Sequence, residues 1–459
     1  MPTDIEIAYA ALSSKAATYN LLWRYYDGDH PLVYNAERLR EVFDRIDARF
    51  VQNWCAVVVD AAMDRINLAR WQVGKDQAAT DLLNTEFART QLNLDSDDAH
   101  LAALVCGEAF VIVWPNEQGE PEAYYNDPRS CYVQYDADNP RQMSWAAKWW
   151  VPDDGTLRLT IYHADRLEYW ATTKKADQVS NADAFQPAET PTAANPYGQI
   201  PVFHLRRERR KTQSELANAM APQDAVNKLL ADMMVAAEFG AFRQRYAIAN
   251  ADLTALKNAP NEIWFLPASD GTGQPTQVGE FAQTDLGVYL TAIDKLATSI
   301  AIITRTPKHY FYQQTGDPSG EALIAMEAPL NRKVTRYIER FSATWQRVAA
   351  FILQLRGMAV DPADITPIFD RPETVQPRTE AEIRNLGVQA GIPLPILLKR
   401  EGWSDQEIAE LQAEKDAEQE RSNSSLAASL VAAQRQFDQN QQAQGQDQEQ
   451  QQNEVSNNG

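Results

Sequence analysis

Two hydrophobic periods alternate along this chain, and the points where one gives way to the other divide it. Over roughly the first hundred residues the period is helical. Ile7–Tyr26 is amphipathic and stops at the breaker cluster Asp27-Gly28-Asp29-His30-Pro31. Further helices are predicted over Leu39–Phe50, over Trp54–Ile66 with Val57, Val58, Ala61 and Met63 apolar, and over Asp81–Leu94. Asp95-Ser96-Asp97 is placed to cap a short helix through Val105 that ends at Gly107. From Ala109 the texture is that of strands: Phe110–Trp114, Tyr132–Tyr135, Trp145–Val151, Leu157–Tyr162 and Leu167–Trp170, with Asp153-Asp154-Gly155 as a hairpin turn. The polar stretch Thr172–Ala194 reads as a surface loop. The turn Asn195-Pro196-Tyr197-Gly198 then leads into a strand, Ile200–Leu205.

Helical spacing returns over Ser214–Phe242, with Ser214 suited to an N-cap and Pro222 either kinking the helix or opening a second one. A mixed region follows, with a short strand at Glu262–Leu266 and a Gly/Thr/Pro loop at Ser269–Gln277. Leu286, Leu290, Ile293, Leu296, Ile300 and Ile303 form one stripe on a helix. The longest signal starts at Ser319 and reaches Leu355, with Leu323, Met326, Leu330, Val334, Ile338, Phe341, Trp345, Val348 and Ile352 in steps of three and four. Such a rod is roughly 50 Å long at 1.5 Å per residue, and Pro329 near its start is expected to bend it. Beyond Asp361, Thr379-Glu380-Ala381-Glu382 and Ser404-Asp405-Gln406-Glu407 are capping boxes opening short helices. Gln and Asn dominate 434–459, which predicts disorder. The fold class expected is α+β, predominantly α, with a small mixed β region.

Composition narrows the function. At 459 residues the chain is long for one hydrophobic core, so two or more structural regions are expected. No run of eighteen apolar residues is present and the first ten residues carry Asp4 and Glu6, so neither a membrane span nor a secretory signal is predicted. Cys55, Cys106 and Cys131 are odd in number and far apart, which fits buried thiols in a reducing cytoplasm. The net charge of −20 argues against tight, general DNA binding, which needs cations to displace counterions. It leaves open a passage whose acidic walls centre a polyanion, as well as plain solubility.

Searching for catalytic patterns excludes more than it finds. There is no P-loop, so a packaging ATPase is not predicted; H-E-x-x-H, C-x-x-C and G-x-S-x-G are missing too. His30, His100, His163, His204 and His309 are scattered and read as structural or surface residues. Asp95, Asp97 and Asp98 are open to two readings, a metal-dependent nuclease site or a helix N-terminus favoured by the macrodipole. The run Arg206-Arg207-Glu208-Arg209-Arg210-Lys211 is either a solvated connector, a partner for an acidic neighbouring subunit, or a weak nucleic-acid footprint. No cofactor is expected.

Five stretches together resemble the portal proteins of long-tailed phages, in the branch common among actinobacterial phages. They are Tyr25-Tyr26-Asp27-Gly28-Asp29-His30-Pro31-Leu32, Asn53-Trp54-Cys55 with Val57-Val58-Val59-Asp60, Asn195-Pro196-Tyr197-Gly198-Gln199-Ile200-Pro201-Val202, Gln223-Asp224-Ala225-Val226-Asn227-Lys228, and Gly316-Asp317-Pro318-Ser319-Gly320-Glu321-Ala322-Leu323. The resemblance implies a homo-oligomeric ring at one capsid vertex with wing, stem, clip and crown. Carried onto this chain, 1–213 is wing, 214–245 the first stem helix, 246–284 clip, 285–304 the second stem helix, 305–319 tunnel loop, 320–360 the long wing helix and 361–433 crown. The tunnel-loop residues implied to meet DNA are Lys308, His309, Tyr310, Tyr312, Gln313 and Gln314; those implied on the stem are Asn227, Lys228, Asp294 and Lys295. Packing of Tyr310, Phe311 and Tyr312 between neighbouring subunits is the other reading of that loop.

The implied partners are double-stranded DNA passing through, the terminase large subunit, a head–tail adaptor, the major capsid protein and a scaffold protein. No membrane is implied, and the virion is the implied location after assembly in the host cytoplasm. Geometry allows the ring: about twelve helices at roughly 10 Å spacing leave a bore of about 28 Å, enough for a duplex. The competing readings are another virion structural protein, such as a minor capsid protein or neck adaptor, and the nuclease.

Overall fold

The computed structural model describes residues 2–31, 51–241, 245–248, 277–280, 285–312, 319–372, 377–401, 403, 407–421, 431 and 433. They fall into two compact units, Met1–Thr374 and Val375–Gly459. The predicted helix Leu39–Phe50, the strand Glu262–Leu266, Gln313, Gln314 and the Gln-rich tail lie outside the described residues.

The first unit opens with α1 (Asp4–Asp27), held at its start by a capping box between Thr3 and Glu6 and closed by Gly28 in the left-handed region. Asn53 caps α2 (Trp54–Met63), which ends three residues short of Ile66. A strand absent from the sequence reading follows, β1 (Leu68–Val73), then α3 (Gln77–Arg89) and α4 (Leu92–Cys106). The expected helix Asp81–Leu94 is therefore wrong at both ends. Gln91 takes φ 54° and breaks the chain between two helices that share one apolar period. Asp95 correspondingly lies inside the first turn of α4 and caps nothing, while Gly107 ends that helix as expected.

The β region has a layered logic. β2 (Glu108–Pro115) lies between β3 (Pro121–Asn126) and β9 (Val202–Arg206), both antiparallel to it. Beside this three-stranded sheet stands an antiparallel meander of β4 (Cys131–Tyr135), β5 (Met143–Trp150), β6 (Thr156–Tyr162), β7 (Arg166–Lys175) and β8 (Phe185–Ala194). Phe110 and Ile112 face the meander, packing with Cys131, Val133, Ala146 and Tyr162. Ala109, Val111 and Val113 face the helices. Burial on both faces explains why β2 reads as an unbroken apolar run. The outer face of the meander buries Trp145, Leu159 and Ile161 against Ala8 and Leu12 of α1.

Thr172–Ala194 is not a loop: β7 continues to Lys175 and β8 occupies the rest after two 3-10 turns. Its polarity follows from position, since β8 is an edge strand and mostly exposed. Pro187 and Pro191, which lack the donor a central strand needs, are tolerated there.

Ser214 caps a 3-10 turn, Glu215–Asn218, and α5 runs over Met220–Ala241 with Pro222 in its first turn, where no intrahelical partner is lost. β10 (Arg245–Ile248) pairs with β11 (Gln277–Glu280). α6 (Gly287–Thr304) packs along α5. α7 (Gly320–Leu355) is 36 residues long, capped by Ser319, and buries Leu330, Val334, Phe341, Trp345, Val348 and Ile352 on one side. β12 (Ile365–Phe369) returns to pair with β1, so the start of the 361–433 segment belongs to this first unit.

The second unit contains α8 (Pro377–Gln389) and α9 (Leu394–Arg400), tied by Arg384 to Glu401 at 2.7 Å; residues 407–421 are also helical. α8 starts two residues before Thr379, and Ser404–Gln406 of the second capping box lie outside the described residues. All three cysteines are free and buried, and burial pushes the Cys55 and Cys131 thiols up to about 12, as inert structural thiols should be.

Candidate channel helices and adjoining loop

α5 is docked by its own side chains. Gln223, fully buried, accepts from the Trp54 backbone N–H at 2.8 Å and donates to the Gln52 carbonyl. Asn227 sits one turn on, bonded to Gln223, to the Gln52 amide and to His30 Nδ1 at 2.8 Å. Tyr25 donates to both oxygens of Asp224 at 2.8 Å. The stretch Gln223–Asn227 is thus an attachment to α1 and α2, and Asn227 is occupied within its own chain. Lys228 pairs with Asp232 at 2.8 Å along the helix.

α6 has two unlike faces. Ile293, Ala297, Ile300, Ala301 and Thr304 are buried. Val288, Lys295 and Ile302 recur every seven residues on the opposite side; Val288 is 65% exposed and Ile302 73%. By length and hydropathy alone this helix could cross a membrane, although Asp294 and Lys295 stand in its middle. Arg305 then takes φ 57° and closes the helix, its N–H bonded back to Ala301. Among the described residues it and Gln91 are the non-glycine positions at positive φ.

The loop after α6 turns partly inward. Lys308 reaches back to Asp294 at 2.7 Å. Tyr310 accepts from Arg65 at 2.8 Å and donates to Glu327 at 3.2 Å, so it clamps the end of α2 to the start of α7. Phe311 is buried edge-on to Trp54, 5.8 Å between ring centres. It belongs to the core of its own chain, not to a neighbour's surface. His309 lies edge-on to Tyr310 at 4.7 Å, and Tyr312 is 39% exposed. Of the ten residues singled out on stem and loop, Lys295 and Tyr312 are turned away from the chain, and Gln313 and Gln314 fall outside the described residues.

A buried ionic knot supports the base of these helices. Glu215 accepts from Lys333 at 2.7 Å, Arg207 at 2.9 Å and Tyr337 at 2.6 Å, while Lys333 also donates to the Thr304 carbonyl at 2.7 Å. Burial alone would raise the Glu215 carboxyl, but Lys333 and Arg207 hold it below its ordinary value. Arg207, in the middle of the basic run, thus finds its acid inside the same chain. The remaining site residues are simpler. Asp95 and Asp97 lie on the first turns of α4, both raised chiefly by burial. His204 is buried between Tyr135 and Glu108, 3.0 Å from each. His100 is buried against Phe341 and accepts from the Trp345 indole at 2.8 Å. The ionic knot and the two histidine clusters were not visible in the sequence, because partners such as His204 and Glu108, Glu215 and Lys333, and His100 and Trp345 lie 96, 118 and 245 positions apart.

The matches to known proteins fit this arrangement. A portal protein of Mycobacterium phage L5 is 20% identical over 385 aligned residues, spanning 74% of this chain and 73% of the relative. The model of the phage portal protein family, SPP1 Gp6-like, matches residues 8–421, from α1 through the helical residues 407–421. This chain belongs to the phage portal protein family.

Proposed function

We propose that about twelve copies stand around one axis at a capsid vertex, with α5 and α6 as paired stem helices enclosing a bore of roughly 28 Å. The observation that carries this reading is the outward face of α6. Val288 and Ile302 leave large apolar surface in water on a helix whose other side is packed, and a neighbouring copy would bury it. Lipid is the other medium such a face could meet. A charge at the middle of a membrane helix costs about 2.5–3.5 kcal/mol by insertion scales, and Asp294 and Lys295 are both central. A protein neighbour suits them better.

In this assembly Tyr312, with Gln313 and Gln314, is offered to passing double-stranded DNA, while Lys295, between Val288 and Ile302, lies in the contact with the neighbouring copy. The chain's net charge of −20 would repel phosphates and keep the duplex from sticking. The region 246–284 would serve as clip for the terminase large subunit during packaging and a head–tail adaptor afterwards. The wing would meet the major capsid protein and scaffold, and the crown would begin at Val375. The chain would be a structural part of the virion, assembled in the host cytoplasm, and the work of packaging would come from the terminase.

Electron microscopy and native mass measurement of the full-length protein test this. Wild type is expected to form closed rings. Ile302→Glu should leave monomers with an unchanged melting curve, since the side chain is exposed in the single chain. Wild type that stays monomeric at every concentration, or rings that survive Ile302→Glu, would overturn the stem arrangement.

A further inference from the structure

Beside the ionic knot lies a second charged cavity of about 440 Å³, whose charges are not balanced. Arg141 enters from the β4–β5 turn, Arg206 and Arg209 from the end of β9, and Arg340 and Arg347 from α7. Tyr135 and His204 also line it. We propose that this cavity is a binding site for phosphate groups, held by the five guanidiniums.

Three observations support this. First, among the described residues none of the five has a carboxylate oxygen within 4.0 Å, whereas Arg207 and Lys333 next door share Glu215. The chain has 63 acidic residues against 43 basic ones, so acids to neutralise the cavity were plentiful. Second, three of the five arginines are held in place. Arg206 lies over the Tyr135 ring at 4.7 Å, Arg340 donates to the Arg207 carbonyl, and Arg347 reaches the Thr344 hydroxyl at 3.4 Å. Fixed guanidinium forks match the oxygens of phosphate in pairs, which lysines would not. Third, burial pushes Arg347 below its ordinary value; Tyr135 opposes that shift and the like charges of Arg206 and Arg209 add to it. A cavity of this size accepts one or two phosphates. The rival occupant is an acidic segment of a second copy, but isolated carboxylates would leave much of a five-guanidinium cradle unmatched.

The inference does not depend on ring formation, because every lining residue comes from one chain. Full-length wild type, Arg209→Gln/Arg347→Gln and the control Arg210→Gln, whose side chain is not in the lining, are titrated with sodium tripolyphosphate and with a short labelled DNA duplex. Ring state and melting temperature are followed in parallel. Removing two charge-assisted contacts should weaken binding by on the order of tenfold or more, with the control unchanged. Weakening with both probes assigns the phosphate to the DNA backbone; weakening with tripolyphosphate alone assigns it to a free polyphosphate. Removing like charges should not harm folding, and Arg209→Gln alone, at an exposed side chain, serves if the double variant does not fold. The proposal fails if wild type binds neither probe more tightly than the variants. It also fails if the double variant loses only subunit association, which would give the cavity to a neighbour's carboxylates.

Discussion

Glu215 shows how much of the molecule rests on one carboxylate. It neutralises Arg207 and Lys333 in the same buried space and accepts from Tyr337. Glu215→Gln would leave two buried cations without a counter-charge, and a loss of about 3–5 kcal/mol is expected in denaturant unfolding. Adding Lys333→Met should restore part of it, since the uncompensated ammonium goes too. The pH dependence has a definite sign. The folded carboxyl is held below its ordinary value of 4.5, so its contribution is complete above that pH and is lost as pH falls through the folded value. Wild type should therefore lose stability in acid more steeply than Glu215→Gln; parallel curves below pH 4.5 would show that the knot does not carry the effect.

Among the elements, α5 is fastened most specifically. Gln223→Leu would fill the same volume but leave the Trp54 amide buried and unpaired and take the donor from the part-buried Gln52 carbonyl. An orphaned buried group costs about 1–3 kcal/mol, and unfolding in urea should register the loss as a shifted midpoint. What the sequence disclosed about elements follows from their surroundings. α6 and α7 were legible almost to the residue, because each has one apolar face and α7 has a strong cap at Ser319. β2 was legible because both its faces are buried. β1, β3, β8 and β12 were not: β8 is exposed at a sheet edge, and the other three are only five or six residues long. The boundary between α3 and α4 was hidden because Gln91 breaks the helix without any residue type that signals a break. On the candidate site, sequence located the helices α5 and α6 and the start of the segment after them, but not the partners of their side chains. Asn227, Tyr310 and Phe311 turn back into their own chain, an outcome decided by partners such as His30, Arg65 and Trp54 far away in sequence.

At the scale of the whole molecule, charge is distributed by purpose. A surplus of twenty negative charges disfavours adhesion to a polyanion, and the five-arginine cavity is a local exception. The exception had a faint signature: Arg340 and Arg347 lie seven residues apart on α7, but the other walls of the cavity come from 141 and from 206–209. The proposed association and the proposed anion binding are separable, since Ile302 would govern the first and the arginines the second. Each can be removed while the other is measured.

Gly107 links these scales. It ends α4 at φ 91°, and a Cβ there would meet the backbone of Gln213 at 2.7 Å. Arg207 also bonds through its amide to the Gly107 carbonyl. The strand end that presents Arg206 and Arg209 is therefore seated against a spot where only hydrogen fits. One added methyl, Gly107→Ala, would act as a wedge: besides about 1–2 kcal/mol of backbone strain, it should dislodge the Gln213 end of that segment and blunt the grip on tripolyphosphate, though no guanidinium had been touched.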